Sequence, residues 1–297
     1  MSRLDHLTRR QMMLAAGAAA FGAAPMSRLF AREPRAATKK VLFFTKSAGF
    51  QHSVIARKGD QLSLAEKILT ELGRDHGFEV VATKDGRMFD PDKIGQWDAF
   101  AFETTGDLTT EGTDRQPPMS ADGKKALLDA VHSGKGFVGM HCGSDTFHSR
   151  GQDVDPYIQM LGGEFAGHGD QQKAKVLIAD PRFPGARSFG DAESFELEEE
   201  WYAQKNIADD LHVIYVMVTD GMKGPQYQRP NFPQTWARMH GKGRVFYTSF
   251  GHRDDVWTNP KFHGLLLGGL GWSTGQVDAD VEPNIKKVTP HYDQVGK

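Results

Sequence analysis

The stretch Gly134–His148, GKGFVGMHCGSDTFH, decides how the chain is read. Phe137, Val138 and Met140 make a short apolar run that predicts a buried strand, and Gly134, Gly136, Gly139 and Gly143 surround it. A strand that turns sharply among close glycines presents one side chain at its tip, because a Cβ at the flanking positions would clash. The residue between Gly139 and Gly143 is His141. The pattern is therefore G-x-H-x-G, the spacing of a nucleophile elbow with an imidazole where Ser or Cys usually stands. The neighbouring Cys142 is expected to point away from the cleft, buried and inert.

Upstream of this elbow, strands and helices alternate. Lys39–Thr45 (KKVLFFT) predicts a first strand, Phe78–Thr83 (FEVVAT) a second and Ala99–Thr104 (AFAFET) a third. Apolar residues at near-helical spacing predict a helix over 57–72 closed by Gly73, and another over 120–133 capped by Ser120. This order argues for parallel βαβ units with helices on both faces of one sheet. Downstream, Asp155–Leu161 reads as helical, and Lys173–Ala179, Ser194–Tyr202 and Leu211–Val218 read as strands. The segment 219–233, rich in Gly, Pro and Gln, reads as a surface loop near the site or a lid. Gln234–His240 and Arg244–Ser249 flank Gly241-Lys242-Gly243 as a hairpin, and Pro260–Trp272 reads as a closing helix whose glycines suggest close packing on the sheet. Residues 276–297 form a polar tail, expected to be loosely attached.

The 297 residues carry 38 acidic against 36 basic side chains, a balance that gives no case for nucleic acid as a partner. One cysteine excludes an intramolecular disulfide. Residues 1–37 differ from the rest: Arg9-Arg10 precede an apolar run too short to span a bilayer, followed by small residues. Thr8-Arg9-Arg10-Gln11-Met12 resembles a twin-arginine export signal, which places the mature protein in the periplasm or outside the cell, with no membrane insertion once the signal is removed.

Sites in open α/β sheets form in loops after the carboxyl ends of strands. His52, Asp107 and His141 each follow a different predicted strand, and His168 and His252 stand in glycine-flanked loops. Imidazoles in such loops serve as metal ligands or proton carriers. Glu199-Glu200-Trp201-Tyr202 ends a strand, and a carboxylate there could face the cleft beside an aromatic wall. Asp107 is a candidate to orient a histidine or bind a hydroxyl. No phosphate-binding glycine loop and no serine elbow is present.

Six stretches, GFQHSVI, FETTGD, GKGFVGMHCGSDTF, LGGEFAGHG, EEEWY and GRVFYTSFGH, resemble in order and spacing the trehalose-utilisation (ThuA-like) family, over Lys39 to Gly275. The resemblance implies a flavodoxin-like (class I glutamine-amidotransferase-like) α/β sandwich with a mainly parallel central sheet, occupying residues 38–275. His141 takes the elbow position of the amidotransferase cysteine and His252 resembles the late catalytic histidine, which implies that amidotransferase chemistry is lost. It singles out Glu200 over Glu199. It further implies an exported carbohydrate-active enzyme acting on an oxidised (3-keto) glycoside. His141, Glu200 and Asp107 would be the catalytic set, and His52, His168 and His252 ligands to a divalent ion, zinc by preference. Expected partners are a small carbohydrate substrate, a sugar oxidoreductase of the same pathway and a second copy of the chain. The alternative is a non-catalytic sugar-binding module, with Trp201, Tyr202, Trp236 and Trp257 stacking on sugar rings.

Overall fold

Lys39–Phe44 forms the first strand, β1, with Val41 and Phe43 on one face and Leu42 and Phe44 on the other, all buried. A strand apolar on both faces must be covered on both, and the structure, a computed structural model describing residues 38–294, shows how. The leader expected at 1–37 lies outside the described residues. Helix α1 (Leu64–His76) leads into β2 (Phe78–Thr83), and α2 (Ala121–His132) joins β3 (Ala99–Phe102) to β4 (Gly136–Met140). β2, β1, β3 and β4 lie side by side and parallel, as the alternation predicts.

The chain then leaves this sheet through α3 (Pro156–Leu161) and β5 (Glu164–His168), and builds an antiparallel extension from β6 (Gln172–Ile178), β7 (Ser194–Glu199), β9 (His212–Met217) and β10 (Phe232–His240). It returns in β11 (Gly243–Thr248), parallel to β4. The nine-stranded order is β2-β1-β3-β4-β11-β10-β9-β6-β7. β5 pairs with β8 (Tyr202–Lys205) in a separate two-stranded sheet. α1, the short α4 (Asp254–Trp257) and α5 (Pro260–Ser273) pack in the core on one face, α2 and α3 in the core on the other. The fold is an α/β sandwich of the expected class.

Four local expectations change. The first helix starts at Leu64, where Ser63 and Glu66 form a reciprocal capping box, not at residue 57. Gly73 does not end that helix: a Cβ there would lie 2.5 Å from Val80, so it is a packing glycine, and Gly77 at φ +83° terminates the helix. The strand expected over 194–202 is broken at Glu200-Trp201 into β7 and β8, which belong to different sheets. The polar segment after Gly275 is pinned rather than loose. Asn284 exchanges hydrogen bonds with both backbone groups of Val213, and Ile285, in the short helix α6 (Ile285–Val288), is buried. Among the described residues no helix is long and apolar enough to cross a membrane.

Candidate functional site

The elbow forms at the end of β4. His141 adopts φ +38° and begins a 3-10 turn, His141–Ser144. A non-glycine residue held at positive φ is strained and must be fixed by its surroundings. The Tyr247 hydroxyl, from β11, donates to the His141 carbonyl at 2.8 Å. The flanking glycines serve packing: a Cβ on Gly139 would lie 2.9 Å from the Tyr247 ring, and one on Gly143 3.2 Å from the Phe102 carbonyl. Cys142 is buried as expected, and burial pushes its thiol pKa well above the ordinary value.

His141 is fully buried, and its Nδ1 lies 2.9 Å from the Ser249 carbonyl, which can only accept. Nδ1 therefore carries the proton and leaves the Nε2 lone pair free. That nitrogen lies 3.2 Å from His252 Nδ1 and 3.5 Å from Glu200 Oε2. His252 Nδ1 in turn lies 3.0 Å from the same carboxylate oxygen. The ring of His52 crosses those of His141 and His252 edge-on, with centroids 5.0 and 5.1 Å away. His52 Nε2 lies 3.4 Å from the Tyr202 hydroxyl, and its buried Nδ1 has no hydrogen-bond partner among the described residues. One donor atom each from His52, His141, Glu200 and His252 falls within 4.8 Å of all the others.

Electrostatics sets the charge states. Burial, helped by neighbouring imidazoles, pushes the pKa of His52 far below its ordinary value. Burial likewise lowers that of His141, against the opposing pull of Glu200. Burial pushes Glu200 up, but the adjoining imidazoles of His141 and His252 outweigh it and hold the carboxyl well below the usual range. The cluster thus offers uncharged His52 and His141 and an ionised carboxylate, converging with a lone pair unused. That donor set fits a borderline divalent cation such as zinc.

The break between β7 and β8 positions the carboxylates. Glu200 faces the cluster, while Glu199 turns inward and is fully buried, accepting hydrogen bonds from the backbone N–H of Glu200 at 2.8 Å and of Gly251 at 3.0 Å. Burial raises the Glu199 pKa to about 7.

His168, at the end of β5, lies beside the four rather than among them. Its Nδ1 lies 3.3 Å from Glu200 Oε1 and 3.0 Å from the Gly169 carbonyl. Both neighbours are acceptors, so Nδ1 is protonated and Nε2 is the free nitrogen of a half-exposed ring. The expected grouping is therefore rearranged: His141 and Glu200 join His52 and His252, and His168 hangs from the other oxygen of Glu200. Asp107 is not brought to the cluster. Its carboxylate closes a turn by accepting from Thr109 N and Oγ1 at 3.0 and 2.6 Å, and it lines a separate cavity of about 490 Å³ with Lys124 and His148.

The aromatic side chains also fall differently. Trp201, Trp236 and Trp257 are fully buried and Tyr202 nearly so, which removes them as exposed stacking surfaces for a sugar. The Tyr202 ring instead backs His141, at 4.0 Å between centroids. Phe50, 69% exposed, stands 5.0 Å from the His52 ring, and the half-buried Phe165 stands 4.2 Å from Tyr202. Sequence reasoning passed over both, although each is an aromatic residue within a glycine-flanked histidine motif.

The family profile described as ThuA, trehalose utilisation, matches residues 40–273. The chain belongs to the ThuA family. This membership points to a role in sugar utilisation. Among solved structures, a ThuA-like protein of Bacteroides uniformis is 16% identical, with a TM-score of 0.59 over 80% of this chain and 91% of the other. A ThuA-like protein of Parabacteroides merdae is 14% identical, with the same TM-score of 0.59 over 87% and 96%. At these identities the likeness speaks to the ThuA fold alone. No curated protein matches the sequence significantly.

Proposed function

We propose that the protein is an exported enzyme of sugar utilisation that cleaves a 3-keto glycoside by elimination, with a divalent ion held by His52, His141, His252 and Glu200. The observation that carries this reading is the convergence of three imidazoles and one carboxylate, with an orphaned buried nitrogen on His52, beside a half-exposed His168 whose Nε2 is free. Export rests on the leader around Arg9-Arg10. A bound divalent ion supplies Lewis acidity toward the ketone oxygen.

The rest of the chemistry falls to the chain's own side chains. A ketone at C3 acidifies the hydrogen on C2. His168 Nε2 takes that proton, while Glu200 and the Gly169 carbonyl hold Nδ1–H and so fix the ring and its tautomer. The C2 electron pair forms the C1–C2 double bond, the C1–O bond breaks, and the leaving oxygen takes a proton from water. Phe50 offers an apolar face at the mouth for the sugar ring.

The test is incubation of purified protein with 3-keto-trehalose or a 3-keto glucoside, following enone and released alcohol, alongside elemental analysis. Wild type should turn over, His168→Ala should fall by ~10²–10⁴-fold in kcat, and His141→Ala should lose both the ion and activity. Equal turnover by His141→Ala and wild type would sink the reading.

A further inference from the structure

We infer that the cavity beginning at His168 is the leaving-group subsite, and that it takes a hydroxyl-rich leaving group, a second sugar ring, in preference to an apolar aglycone. The inference rests on the reaction proposed above for its first half and on the cavity itself for its second. An open cleft of about 590 Å³ lies between the turn after β5 and the loop between β9 and β10, inside the range of ~300–1,000 Å³ typical of small-molecule sites. The two walls meet the reaction centre at one side chain: His168 lines the cavity and contacts Glu200. A substrate reacting at His168 therefore projects its far half here.

The walls are locked before any ligand arrives. The Gln172 carboxamide bonds across the gap to both backbone groups of Lys223, accepting at 2.8 Å and donating at 2.9 Å. Gln226 donates to the His168 carbonyl at 2.6 Å, which ties the far loop to the base itself. Tyr227 accepts from Gly169 N at 2.9 Å and donates to the Trp201 carbonyl at 2.6 Å. Such preorganisation lowers the ordering cost of binding. The segment read from sequence as a loop near the site or a lid is this wall.

The lining sets the chemistry. Apart from the His168 imidazole it carries no aromatic ring and one proline, against amides and charges. Asp170 and Lys223 are exposed, and neither forms an ion pair with a described residue. Gln171 is held through its Oε1 by Arg253 at 2.7 Å, which leaves its amide N–H₂ to donate. An unpaired carboxylate, an unpaired ammonium and a fixed amide donor are acceptors and donors for hydroxyl groups. They would have to be desolvated without return to admit a phenyl or alkyl group.

The test compares the 3-keto form of a disaccharide with 3-keto phenyl glucoside, for wild type and the double variant Asp170→Ala/Lys223→Ala. The ratio of kcat/KM for disaccharide over phenyl glucoside should fall at least tenfold in the variant. A ratio within twofold of wild type overturns the inference. Calorimetry with the unoxidised disaccharide and with glucose decides the subsite independently of the reaction. Wild type should bind the disaccharide at least tenfold more tightly than glucose, and the variant should lose that preference. Should neither keto sugar react while this preference holds, the elimination falls and the subsite stands. Equal binding of both sugars by wild type overturns the subsite.

Discussion

Glu199 and Glu200 are adjacent in the chain and do opposite things. Glu200 spends its oxygens on the imidazoles, whereas Glu199 spends both on backbone N–H groups, one belonging to Glu200 and one to Gly251, the residue before His252. One buried carboxylate thus ties together two chain segments that each carry a donor of the cluster. In Glu199→Gln the amide side faces an N–H it cannot accept from, at a cost of ~1–3 kcal/mol. Loss of such support to metal donors typically weakens metal binding by ~10–100-fold. Titration of the variant with zinc against a competing chelator should show that drop, and an unchanged affinity would leave Glu199 a structural residue only. Glu103, at the end of β3, is a second buried carboxyl: it accepts from Trp257 Nε1 at 3.4 Å through one oxygen and leaves the other unpartnered. Burial raises its pKa well above 4.5. As pH rises through 4.5 the unfolded chain releases this proton and the folded chain keeps it, so stability present below 4.5 is lost at about 1.4 kcal/mol per pH unit until the folded value is reached. Glu103→Gln removes that slope. Its advantage over wild type in urea unfolding should therefore grow from pH 4.5 to pH 7, and parallel curves would refute the neutral buried carboxyl. The existence of the elbow and the histidine loops was legible in sequence because glycine spacing marks both. The division of labour between neighbouring glutamates was not, because a two-residue break in a strand decides which of them faces inward.

At the scale of elements, glycines in α5 show how far pattern carries. Their abundance predicts close approach to the sheet, and Gly269 fulfils this, since a Cβ there would lie 2.6 Å from the Phe246 ring on β11. Gly264 and Gly268 meet a different neighbour: the loop containing Pro184 and Ser188, with a Cβ on Gly268 only 2.0 Å from the Pro184 carbonyl. That loop joins β6 to β7, so α5 is the surface on which the antiparallel extension rests. Gly268→Ala would raise helix propensity, a gain of ~1 kcal/mol. It would also force a backbone carbonyl aside, and overpacking of this kind costs ~1–3 kcal/mol or more. Because backbone is less able to yield than a side-chain tip, a net loss of stability is expected in chemical denaturation. Retained or increased stability would show that the loop moves freely. Short apolar runs and helical spacing made nearly every strand and helix legible here. β5 was missed because Gly162-Gly163 precede it and Gly167 interrupts it, and its pairing with β8 rather than with the main sheet has no signal in local sequence.

In the whole molecule the cluster sits where the parallel half of the sheet meets its antiparallel extension. His52 follows β1 and His141 follows β4, while His252 follows β11 and Glu200 leaves β7 at the far edge. The geometry of the site therefore depends on the extension keeping its register, and β9 is the strand through which that register passes. β6 pairs with β9 only over Tyr215–Met217, which leaves the start of β9 with unmatched backbone on that side. Open strand edges of this kind need cover. The polar C-terminal segment supplies it: Asn284 and Ile285 donate their backbone N–H groups to the Leu211 carbonyl, the Asn284 side chain pairs with Val213, and His212 is held between Asp180 and the Glu282 carbonyl. Composition alone reads this stretch as a loose tail, since its cohesion comes from hydrogen bonds to a distant strand and from one buried isoleucine. Ile285→Ala removes a side chain with 1% of its surface exposed, which for a core aliphatic costs ~2–5 kcal/mol. Asn284→Ala strands the Val213 N–H and carbonyl, at ~1–3 kcal/mol for each group left unsatisfied. The two changes touch adjacent residues, so their effects should be coupled and fall short of their sum in a double-mutant cycle. Hydrogen exchange gives the local readout: in either variant the amides of residues 212–214 should lose protection before those of β1 and β3. Uniform loss across both halves of the sheet would mean that the tail stabilises the molecule as a whole rather than guarding this edge.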